Sequence, residues 1–124
     1  MRRNDDLIRK LMLDLENANE HVTDKHLVDG FGRNEVAYHL ALIVKSGYAE
    51  GKTLYGNAST DTTIPSAVVV IRLTPSGHDF ISTVRDPKIW SKVKERAASV
   101  AGGVTLEILK QLGSAVLKQH LGLP

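Results

Sequence analysis

The sequence predicts an α+β fold, mainly helical: a winged helix-turn-helix with a two-stranded wing and a C-terminal helical extension. Three observations carry that expectation. Residues 34–51 have helical spacing up to Gly47 and strand-like residues after it. Glycine is what a helix uses where the chain turns left-handed just past its last turn. Ser66-Ala-Val-Val-Val-Ile-Arg-Leu73 is dominated by β-branched residues, which suit a pleated, half-buried surface. Thr74-Pro75 then offers a cap followed by proline at the first helical position. Helix, strand, long turn, strand, helix is the element order of a winged helix.

The elements can be justified in turn. The first helix is expected to start near Asn4, a good N-cap, with Asp5 and Asp6 complementing the positive end of its dipole. Leu7, Ile8, Leu11, Met12 and Leu15 recur at helical spacing and should face the core. Residues 20–31 are polar with isolated apolar positions; Val22, Leu27 and Val28 suit a short strand or edge, and Gly30 and Gly32 a turn. The next helix is expected to start at Asn34 as N-cap, with Val36, Leu40, Ile43 and Val44 on its apolar face. Residues 48–55 and 66–73 are the expected strands, joined by a polar loop. Asp86-Pro87 repeats the helix-start signal, and Ile89, Trp90, Val93, Ala97 and Val100 give the helix after it an apolar face. Gly102-Gly103 breaks that helix, and a last one is expected over about 105–120. Residues 1–86 thus form the expected winged-helix domain, and residues 87–124 C-terminal helices suited to oligomerisation.

Composition excludes some classes. Without cysteine there are no disulfides, thiol nucleophiles or thiolate metal sites. The N-terminal residues lack the apolar core of a signal peptide and no apolar run is long enough to span a bilayer, so a cytoplasmic protein without a membrane partner is expected. The net charge of +2 does not demand a polyanion, but residues 1–50 carry seven Lys/Arg against nine Asp/Glu, and residues 51–124 nine against five. A polyanion would be met mainly by the second half.

Signals for an enzyme are poor. Gly51-Lys52-Thr53 resembles the end of a phosphate-binding loop, but Ser46 stands where that loop needs glycine, and a strand explains the residues better. His21 and His26 lack the spacing that sets two metal ligands on one helix face, and neighbours His78 and Asp79 point to different sides of a helix. No enzyme, metal or cofactor is expected.

The candidate DNA contacts are Arg33, Asn34, Tyr38, His39, Lys45, Lys52 and Arg72. Asn34, Tyr38 and His39 would read bases, and Lys45, Lys52 and Arg72 would hold phosphates, with Arg33 in support. The loop between the strands argues against this, since residues 56–65 contain no Lys or Arg and carry Asp61. Arg85, Lys88, Lys92 and Arg96 form a basic flank, which more often keeps its charges in water along an apolar seam. On the last helix Leu106, Leu109, Leu112, Val116 and Leu117, with Ile108 and Leu121, span more than one packing contact needs, and a homodimer through this helix is expected.

Tyr38-His39-Leu40, Ser46-Gly47-Tyr48, Leu73-Thr74-Pro75-Ser76-Gly77-His78-Asp79-Phe80, Arg85-Asp86 and Ile89-Trp90-Ser91-Lys92-Val93-Lys94 form an ordered set. With it the chain resembles an uncharacterised family from bacteria and their phages, a domain of unknown function of winged-helix type. The resemblance runs from Asp6-Leu7-Ile8-Arg9 to Gly102-Gly103. It implies a fold and a bacterial or phage setting, and structural roles for Thr74 as a cap and Gly77 in close packing; it brings no activity. The functional expectation is a small DNA-binding transcriptional regulator. The alternative is an interaction adaptor of the same fold that does not bind DNA.

Overall fold

The computed structural model describes residues 1–56 and 62–124. Among them are five helices and one three-stranded antiparallel sheet, an α+β, mainly helical architecture. The chain divides into two compact units, Met1–His78 and Asp79–Pro124. The division falls inside the third helix.

The first unit begins with α1 (Asp5–Asn17), where the Asn4 side chain accepts from the Leu7 N–H at 3.1 Å. All five apolar residues expected inside α1 are buried there, each fully buried aliphatic side chain stabilising the fold by roughly 1.5–3 kcal/mol. A two-residue strand, β1 (Val22–Thr23), follows; the expected edge shrinks to this because Leu27 points into solvent, 91% exposed. Val28 meets Phe31 across an isolated bridge.

The helix α2 (Arg33–Lys45) starts two residues before the expected position, its N-cap being Gly32 and not Asn34. Its cap is Gly32, whose N–H donates to the Glu35 carboxylate at 3.1 Å. This reaches back across the first turn and makes Asn34 an ordinary surface residue of the helix. At the other end Gly47 has φ +82°, the Tyr48 N–H donates to the Ile43 carbonyl and the Gly47 N–H to that of Val44. That pair of bonds satisfies the last carbonyls and turns the chain into β2 (Ala49–Leu54).

Strand β3 (Ala67–Leu73) lies between β1 and β2 and is antiparallel to both. The expected pairing of the two long strands is therefore present, with β1 added as a third strand. Glu50 is opposite Arg72 and Gly51 opposite Val70, so Ile71 is an extra residue bulging from β3. Val68, Val70 and Leu73 are buried on the face toward α1 and α2. The loop part 57–61, including Asp61, lies outside the described residues.

Helix α3 (Pro75–Val84) starts as expected: the Thr74 hydroxyl accepts from the Gly77 N–H at 3.1 Å and donates to the Gly47 carbonyl at 2.6 Å. A side chain at Gly77 would overlap the Tyr48 carbonyl, so only glycine allows this approach. In the second unit α4 (Pro87–Ala98) is capped by Asp86, which accepts from the Lys88 N–H at 2.8 Å, and α5 (Leu106–His120) by Thr105. Helices α4 and α5 pack on each other. No helix among the described residues is long and apolar enough to cross a membrane.

Candidate functional site

Several of the residues expected to contact DNA make contacts within the fold. Arg33, at the first position of α2, is exposed and lies along the surface of its own unit. Its guanidinium donates to the Asp24 carboxylate at 2.9 Å, to the Pro65 carbonyl at 3.2 Å and to the Ser66 carbonyl. Asp24 in turn accepts from the Val68 N–H at 2.9 Å. Burial works against the Asp24 carboxylate, but the Val68 N–H and Arg33 overcome it and hold its pKa below the usual value. Arg33 and Asp24 therefore clamp the turn after β1 to the start of β3.

His39 is 1% exposed and belongs to the core. Its Nε2 accepts from the Asn4 N–H at 2.7 Å and its Nδ1 donates to the Glu35 carbonyl at 2.7 Å. Both ring nitrogens are thus committed within the fold, where His39, expected as a base reader, links α1 to α2. Its pKa lies below the ordinary value, chiefly because burial disfavours the charged ring. Tyr38 is half-buried, its ring edge-on to that of His39 at 5.3 Å.

The remaining candidates are exposed, Asn34 and Lys45 on α2 and Lys52 and Arg72 on the sheet. Lys45 donates to the Tyr55 hydroxyl and lies 4.4 Å from the centre of that ring. Arg72 pairs with Glu50 at 2.7 Å, both exposed. Asn34 is exposed and accepts from Arg33 at 3.2 Å. Lys52 is exposed on β2 and has no ion-pair partner among the described residues.

What the sequence did not single out is the outer face of the sheet. Leu54 is 66% exposed, and Val69 and Ile71 more than a third. They alternate with the buried Val68 and Val70, so they share the side away from α1 and α2. Lys52, Thr53, Leu54, Ala67 and Val69 line a shallow apolar depression of about 450 Å³. The signal was available in the period-two alternation, but an unbroken run of Val and Ile hides which side faces water.

The expected dimer face on α5 is mostly interior to the second unit. Leu106, Leu109 and Val116 are buried and Leu112 and Leu117 half-buried, because α4 packs along them. Gly113 permits this packing, since a Cβ there would meet Thr83 Oγ1 at 2.5 Å. Of the apolar residues named on this helix, Ile108 and Leu121 are the exposed ones. Lys92, Arg96 and His120 border a separate open groove of about 510 Å³ with Glu95 and Gln119. Among the described residues no group of three His, Cys, Asp or Glu is set to hold a metal ion.

Comparison with known proteins gives the chain its relatives. The family described as "Hypothetical protein (DUF2513)" matches residues 2–104, and the chain belongs to it. A Haemophilus influenzae protein described as "Uncharacterized protein" is 29% identical over 125 residues, spanning 98% of this chain and 99% of that one. No solved structure matches.

Proposed function

We propose that this member of the DUF2513 family is a small protein-interaction adaptor, docking a partner on the outer face of its sheet. The observation that carries this reading is the contiguous exposure of Leu54, Val69 and Ile71 beside Lys52. Exposed apolar clusters of this kind mark interaction surfaces. Lys52 favours a partner segment that sets an acidic side chain among apolar ones.

The order helix, strand, helix, strand, strand, helix supports a winged-helix type in which residues 24–32 stand in for one helix of the usual pair. DNA recognition by such a pair needs a second helix presented to the groove with free polar groups. His39 is engaged inside the fold, Arg33 is held at the surface by Asp24, and Arg72 is shared with Glu50, which weakens the transcriptional-regulator reading. The bacterial or phage setting belongs to the same proposal.

A photo-crosslinking residue at position 54 tests it in a bacterial lysate. It should trap one discrete protein, and Val69→Asp should abolish the product while leaving the melting curve in place. Duplex DNA titrated at graded salt is the counter-test. A footprint of about four phosphates gives a log–log slope near −3.6; that slope, with no trapped protein, overturns the adaptor and restores the DNA-binding regulator.

A further inference from the structure

We propose that the free edge of β2 pairs with the same edge of a second copy, antiparallel about a two-fold axis at Gly51, so that Glu50 of each copy faces Lys52 of the other. The pairing uses the backbone edge of β2 and leaves the apolar Leu54, Val69 and Ile71 of the outer sheet face open, with Lys52 shared between the two, so the inference goes beyond the docking role above.

Among the described residues β2 pairs with β3 alone, so its other edge meets no strand. Such edges present backbone donors and acceptors in a row and are usually blunted by charges or bulges. Here the extra residue of the bulge, Ile71, sits on β3, and the pairing of β2 runs through Ala49–Leu54 without an insertion of its own. The two charges on β2, Glu50 and Lys52, are opposite in sign, two residues apart and exposed, so they lie on the same face.

That spacing selects the register. In an antiparallel pair, residues directly opposite share a face, and opposite charges there stabilise while like charges destabilise. Centring the axis on Glu50 or on Lys52 sets like charges against each other. Centring it on Gly51 gives two Glu50–Lys52 pairs, with Ala49 opposite Thr53 and a residue without a side chain at the axis. Arg72, beside Glu50 at 2.7 Å, holds that carboxylate on the outer face. Two three-stranded sheets would then join into one, with both apolar outer faces on the same side. An adaptor built this way is bivalent for its partner. Six-residue edges bury less than the ~1,200 Å² of a standard stable interface, so the association is weak and concentration-dependent.

Sedimentation equilibrium over a range of concentrations tests the pairing. The wild-type chain should dimerise as concentration rises. Lys52→Glu and Glu50→Lys should each weaken dimerisation roughly tenfold. Their equimolar mixture should recover it, because both cross-strand pairs become opposite in sign again. The chain has no cysteine, so a second measurement is available: a mixture of Glu50→Cys and Lys52→Cys chains should form an intermolecular disulfide faster than either alone. This pair decides the matter where Glu50→Lys misfolds beside Arg72. A wild-type chain that stays monomeric, a Lys52→Glu chain that dimerises unchanged, or mixtures no better than their parts would overturn the inference. None of these results touches the lysate crosslink at position 54, which needs no self-association.

Discussion

His39 carries the most informative single environment in the chain. Its neutral ring accepts from one helix and donates to the other, and a protonated ring loses the acceptor that the Asn4 N–H needs. Asp5 and the Glu35 carboxylate favour the charged ring and Arg3 opposes it, but burial prevails and the folded pKa lies below the unfolded value near 6.5. The unfolded chain therefore binds more protons between the two pKa values, and stability falls as pH drops below about 6.5. Urea midpoints measured from pH 7.5 to pH 5 should decline, and in His39→Ala the decline should be shallower from a baseline lower by about 2–4 kcal/mol. An equally steep decline in the variant would assign the effect to another group. Asp24 acts with the same sign in a more acidic window, since its lowered pKa contributes stability above about pH 3.8 that is lost as pH falls through the folded value. Asp24→Ala should cost about 1.5–3 kcal/mol in a denaturant titration, and adding Arg33→Ala should cost less than it does in the wild type, because the clamp is already open.

At the scale of elements, the punctuation was legible. Asn4, Thr74 and Asp86 act as caps, and Gly47 ends α2, because these depend on the backbone groups of one turn. The start of α2 moved to Gly32 because Glu35 reaches back to that N–H, an alternative that the attractive cap residue Asn34 obscured. β1 was visible only as scattered apolar residues, since a two-residue strand is selected by its partner β3 and not by its own pattern. Gly77 gives this scale its test. Gly77→Ala would overlap the Tyr48 backbone, which cannot rotate away as a side chain would, and should destabilise the chain by roughly 3 kcal/mol. Gly113→Ala meets the Thr83 and Val84 side chains, which can give way, and should cost less, about 1 kcal/mol. Calorimetric melts of the two variants rank the approaches, and the reverse order would contradict the packing described.

At the scale of the whole molecule, composition predicted where charge lies but not which charges are free. The unit Met1–His78, which holds α2 and the sheet, carries nine Lys/Arg against ten Asp/Glu, and Asp79–Pro124 carries seven against four. The sequence suggested a DNA-reading surface from residue types on α2 and β2. It had no means of foreseeing that Arg33 would close on Asp24 or that His39 would bridge two helices, because both partnerships join distant turns of the chain. The apolar outer face escaped notice for the same reason: Val69 and Val70 are identical in sequence and differ only in which side of β3 they occupy. This charge division makes a distinct expectation for polyanions. Retention on immobilised duplex DNA or heparin at low salt should depend on the exposed basic flank of α4, so Lys88→Glu with Lys92→Glu should abolish it. Lys52→Glu should leave it nearly unchanged, and elution should not vary with DNA sequence, since phosphate contacts alone carry no sequence information. If Lys52→Glu releases the protein while the α4 variant is retained, the sheet is the polyanion surface, and the adaptor reading gives way to the regulator.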